Sequence, residues 1–176
     1  MANSLERVLA VDADTIFLRP CRFVDEGRTV LNFGDEYYVP YFEHMARLHP
    51  ALRKMFAYSG ICHSMLFTRA WLTEFLGMVE AHHAKKPFWQ VYLECVDPAQ
   101  RPLSGASEYE IYFNFCLRFH PLEVTVRRFH WRNGASIEDV RPGTDDYVSL
   151  HHYLRREPLD IGKLTARIFP VDLNPA

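Results

Sequence analysis

Val8-Leu-Ala-Val-Asp12-Ala-Asp14-Thr-Ile-Phe-Leu-Arg-Pro20 is the stretch on which the reading of this chain turns. Its first residues are apolar and mostly β-formers, so they read as a buried strand. The strand ends on two carboxylates separated by one small residue, and apolar residues resume at Ile16. Carboxylates at the end of a buried strand are costly unless their charge is compensated. A hard divalent cation, Mn²⁺ or Mg²⁺, compensates it well and shares its shell with substrate phosphates. Asp also favours turns, so a solvated turn at Asp12 and Asp14 stands beside the metal reading.

Outward from this stretch the chain reads as strands and helices in mixed order. Thr29–Phe33 suits a second strand, and Tyr38–His49 a helix with Pro40 in its first turn and Pro50 as its stop. His63–Thr68 alternates poorly and suits a central strand buried on both faces. Arg69–His82 carries Trp71, Phe75, Met78 and Val79 on one side of a helix. Pro87–Val96 suits a short helix. At Ser107, followed three residues later by Glu110, a capping box opens a helix that Pro121 ends. Val124–Trp131 reads as a strand, Asn133-Gly134 as a tight turn, and Tyr147–Leu150 as a last strand. One short helix is expected near Ile161–Ile168. This spacing lacks a regular βα repeat and predicts an α/β chain of mixed α+β layers, one domain over residues 1–176.

Several side chains stand out for chemistry. Gly60, before a buried strand, lets backbone approach a ligand, and His63 suits an acceptor hydroxyl as well as it suits a hydrogen-bonded core. Arg155 and Arg156 suit phosphate contacts or a solvated charge pair. His151 and His152 are adjacent on a late strand, so at most one faces a given site. The aromatics of 109–115 read mostly as core.

The Asp-x-Asp stretch resembles the motif of GT-A glycosyltransferases. Ser59-Gly-Ile-Cys-His63-Ser-Met-Leu-Phe67 and Ala106-Ser-Glu108-Tyr-Glu110-Ile-Tyr112-Phe-Asn114-Phe resemble a bacterial glycosyltransferase family of unassigned specificity. The likeness runs from about Val8 to about His152. It implies a partial GT-A-like fold and a metal-dependent transfer of sugar from a nucleotide-diphosphate donor to a saccharide or other hydroxyl acceptor. It implies a cation at Asp12 and Asp14 with His151 as a further ligand, Arg155 on the diphosphate, and Glu108 as the general base. It also implies acceptor contacts from Ser59, Gly60, His63 and Tyr109. GT-A enzymes place a nucleotide-binding half ahead of this motif, whereas a short segment precedes it here. The strand at Val8 is therefore expected to present an uncovered apolar edge, with self-association through it.

Two other functions compete. Haloacid dehalogenase-type phosphatases also place Asp-x-Asp after a strand, and Gly143-Thr-Asp145-Asp146 mimics their late acidic motif, but Ile16-Phe-Leu continues as apolar strand. A carbohydrate-binding remnant without catalysis is the other. The formal net charge of −2 gives no reason to expect nucleic acid as partner. There is no apolar run of membrane-spanning length and no signal-like h-region, and Cys21, Cys62, Cys95 and Cys116 are scattered. The expectation is a cytoplasmic protein with reduced thiols and no zinc site.

Overall fold

The computed structural model describes residues 6–141, 143–155 and 157–168. Arg156, weighed above for phosphate contact, lies outside them, as do the first five residues and the tail after Ile168. The chain is mixed α/β, with helices and several small sheets. Its contacts group into two compact units, where the sequence reading treats the chain as one domain. The first holds residues up to Ala10 and Phe23–Arg128; the second holds Val11–Arg22 and residues from Phe129 on. Among the described residues no helix is long and apolar enough to cross a membrane.

In the first unit, β1 (Arg7–Val11) pairs with β5 (Ser64–Thr68), and β3 (Val24–Asp25), β4 (Arg28–Phe33) and β6 (Val124–Arg128) form a second sheet. β4 and β6 run parallel, with Thr29 opposite Val124. The apolar run of β1 is not buried as its composition suggests. Val8, Leu9 and Val11 are 50%, 40% and 37% exposed, because β5 is the one strand paired with β1 among the described residues, leaving Ala10 to pack on the core. β5 is buried along nearly its whole length, as poor alternation predicts.

Four helices build the rest of the first unit: α1 (Val39–Leu48), α2 (Arg69–His82), α3 (Phe88–Glu94) and α4 (Glu108–Phe119). α2 buries Trp71, Phe75 and Val79, a stripe at helical spacing. α4 is different. Every residue from Tyr109 to Cys116 is buried, so this helix is the centre of the core rather than a two-faced surface helix. Burial pushes the Cys116 thiol up.

In the second unit, β2 (Thr15–Phe17), β8 (Tyr147–Ser149) and β7 (Trp131–Asn133) form a sheet in that order. Val140, Val148 and Leu150 make its small core, with Ile16, Leu18, Leu159 and Leu164 against it. The expected strand Val124–Trp131 is broken at Phe129-His130. Asp146 takes both sides of that break: its carboxylate accepts from the His130 N–H at 2.8 Å, and its own N–H donates to the His130 carbonyl at 2.6 Å. Asn133-Gly134 does not close a hairpin, because β7 and β8 are parallel. Gly134 is required for space: a Cβ there would lie 2.6 Å from Leu150 and 2.9 Å from Asp139. The short helix α5 (Ile161–Ile168) forms as expected.

Candidate functional site

The Asp-x-Asp residues sit in the second unit, in a turn closed by the Thr15 N–H donating to the Asp12 carbonyl at 3.0 Å. β2 pairs antiparallel with β8, Thr15 opposite Ser149, and the Leu150 N–H donates to the Asp14 carbonyl at 2.8 Å. This pairing brings residues of the chain's late portion to the Asp14 carboxylate. Ser149 Oγ donates to Asp14 Oδ1 at 3.3 Å, and His151 Nδ1 lies 2.9 Å from Asp14 Oδ2. Ser149 and His151 are two residues apart on an extended segment and so share a side. Between them Leu150 is buried, and His152 beyond is exposed.

Asp12, Asp14, His151, Arg155 and Leu159 line an open pocket of about 480 Å³. Arg155 is held by its own N–H to the His151 carbonyl at 3.2 Å. Its Nε is buried and has no hydrogen-bond partner among the described residues, which is costly for a charged group. Asp14 and His151 offer a carboxylate and an imidazole, both donors that divalent cations take. The 2.9 Å between His151 Nδ1 and Asp14 Oδ2 is a hydrogen bond between them. A mixed carboxylate and imidazole set suits Mn²⁺ better than Mg²⁺, which prefers oxygen.

The other candidates belong to the first unit. Ser59 is buried; its hydroxyl donates to Glu110 Oε2, and the Gly60 N–H donates to the same oxygen at 3.1 Å. The second oxygen, Oε1, accepts from Asn114 Nδ2 at 2.7 Å. Half of the expected capping box forms: Ser107 Oγ accepts from the Glu110 N–H at 3.3 Å. The return bond does not, because the Glu110 side chain turns inward to the loop carrying Ser59. Burial pushes the Glu110 carboxyl up from its ordinary range, and the hydrogen bonds from Ser59 and Asn114 oppose that.

Gly60 has a packing reason to be glycine, since a Cβ would collide with the Phe113 ring. His63 is buried and left-handed at φ 53°, an unusual backbone state for a residue other than glycine. Tyr109 is a core residue beside Phe67. Glu108, the first residue of α4, is exposed, and its carboxylate makes no hydrogen bond among the described residues.

The acidic pair that mimics a phosphatase motif is engaged elsewhere. Asp145 pairs with Arg132, and Asp146 with Arg19 at 2.7 Å. The sequence reading does not single out Ser149, and it gives Glu110 to the capping box rather than to a bond with Asn114. Ser149 carried a usable signal, its place two residues before His151 on a strand. No protein family matches this chain, and no curated protein does.

Proposed function

We propose that this chain is a metal-dependent glycosyltransferase, or the acceptor-side portion of one, acting on a nucleotide-diphosphate sugar. One observation carries the reading: Asp14 and His151, 2.9 Å apart, share a pocket with Asp12 and with a guanidinium whose buried Nε is unmatched among the described residues. Asp12, Asp14 and His151 would hold the cation, which supplies charge neutralisation for a departing diphosphate. Arg155 pairs with phosphate oxygens by charge-assisted hydrogen bonds. In the transfer, the acceptor oxygen forms a bond to the anomeric carbon as the bond to the diphosphate oxygen breaks. The acceptor's proton goes to a general base, the role that the resemblance gives to Glu108. Its carboxylate is exposed on the first residue of α4.

Calorimetry with Mn²⁺, alone and with uridine diphosphate, tests the site. The expected result is Mn²⁺ binding that the nucleotide strengthens and that Asp14→Asn or His151→Ala weakens by about 100-fold or more. Equal affinity in wild type and Asp14→Asn removes the reading. With turnover established, Glu108→Gln is expected to fold normally and to lower transfer about 10²- to 10⁴-fold.

A further inference from the structure

The first unit carries an open cleft that none of these assignments uses. It encloses about 640 Å³ between α3 and the chain that runs from Val96 through the single 3-10 turn at Pro98–Gln100 to Ala106. Its walls are of two kinds. Tyr92, Leu93, Val96 and Leu103 supply carbon, and Leu93 and Leu103 stay 58% and 66% exposed. Gln100 and Ser104 supply neutral hydrogen-bonding groups.

Those polar groups are already oriented. The Tyr38 hydroxyl donates to Gln100 Oε1 at 2.7 Å, and the Tyr41 hydroxyl and Ser104 Oγ are hydrogen-bonded at 2.6 Å. With its oxygen taken, Gln100 turns an amide N–H₂ into the role of donor, and that nitrogen has no hydrogen bond among the described residues. Tyr92 is anchored from behind. Its carbonyl meets His44 Nε2 at 2.8 Å, and its ring packs edge-on against the His44 ring at 4.7 Å. Burial and the nearby Glu108 charge push the Tyr92 hydroxyl up, so it stays a neutral donor. Charge is sparse and mixed: Glu94 is paired with Lys86 at 2.6 Å, and Arg101 is the cation of the lining.

We propose that this cleft binds a saccharide. A sugar ring has an apolar C–H face and a rim of hydroxyls that both donate and accept, which is the pattern of these walls. A hydrocarbon chain would strip water from Gln100 and Ser104 without replacing it. A phosphate-rich ligand would meet one arginine, Arg101, and one carboxylate, Glu94, rather than a basic cluster. As a saccharide cleft the proposal stands on the first unit alone. Its identification as the acceptor's subsite rests on the glycosyl-transfer reading.

The test uses the full chain with maltose, lactose, methyl α-mannoside and N-acetylglucosamine as probes, by saturation-transfer NMR in metal-free buffer. At least one probe is expected to bind saturably with Kd near about 1 mM and to receive saturation at its ring C–H protons. Gln100→Ala is expected to weaken that binding about 10-fold and Ser104→Ala about threefold, the effect of one lost hydrogen bond each. Asp14→Asn is expected to leave it unchanged. The fluorescence of Trp89, 62% exposed on α3 one turn before Leu93, gives an independent readout through its loss in Trp89→Phe. No saturable binding of any probe up to about 50 mM overturns the proposal. So does saturable binding that both Gln100→Ala and Ser104→Ala leave intact, or preferential binding of decanoate. Saccharide binding kept while Mn²⁺ binding is absent sinks the transfer reading and leaves the cleft; the reverse result sinks the cleft alone.

Discussion

Glu110 and Asp14 are both carboxylates taken at least partly out of water, and the two regions treat them in opposite ways. In the first unit Glu110 is 0% exposed, and three donors from the protein converge on it: the Ser59 hydroxyl, the Gly60 N–H and the Asn114 amide. In the second unit Asp14 is half-buried on a pocket wall and meets a hydroxyl at 3.3 Å and a histidine nitrogen at 2.9 Å. A carboxylate whose lone pairs are filled by fixed donors is committed to the fold. A carboxylate facing a pocket beside a histidine has capacity left for a ligand. The comparison teaches that burial of an acid is a poor guide to chemistry until its partners are counted.

The largest expected effect on stability separates the two. Glu110→Ala strands three buried donors and is expected to cost about 4 kcal/mol. Asp14→Ala, which opens to solvent, is expected to cost less than about 1 kcal/mol. Midpoints of urea unfolding decide this, and equal costs would dissolve the distinction. Asn114 widens the contrast, because its Oδ1 also accepts from the Met55 N–H at 2.7 Å, which fixes which way its amide points. Glu110→Gln therefore sets an N–H₂ against the Asn114 N–H₂.

A smaller effect sharpens the same comparison through pH. Burial raises the folded-state affinity of Glu110 for a proton above its unfolded value of about 4.3. Its contribution to stability is then fully present below that unfolded value and is lost as pH rises through the raised folded one. Wild type is expected to lose stability from this group across that window, and Glu110→Gln is expected to remove the slope while lowering stability at low pH by about 1 kcal/mol. Melting temperatures taken from pH 4 upward check the sign, and an unchanged slope in the variant would assign it to another group.

Much of this was legible in the sequence wherever one local pattern settled the matter. The stripe Trp71, Phe75, Val79 marks α2, which runs over Arg69–His82 as expected, and Ser107 caps α4 as its place three residues before Glu110 suggests. The metal candidate His151 and the phosphate candidate Arg155 share a pocket with Asp12 and Asp14. What escaped were features decided by distant partners. Glu110 lies at the third position of a helix that opens with Ser, so a return bond to the cap is the local expectation. Ser59 and Gly60, about fifty residues earlier, outbid it. Gly134 looked like a turn residue and is instead a space requirement set by Leu150 and Asp139. The apolar run of β1 looked like a core strand, but burial depends on what pairs with and covers it, and composition carries no record of that.

The position of α4 has a consequence for exchange with solvent. Between Leu52 and His63 the chain forms neither helix nor strand beyond one bridge, Ser59 to Gly34. A segment of that kind ordinarily trades its amide hydrogens for deuterium quickly. Here the Met55 and Gly60 amides donate to side chains of α4, the most enclosed helix of its unit. Those two loop hydrogens are thus expected to exchange on the clock of the core helix, slowly and together. The loop borrows its rigidity from two side chains a helix turn apart.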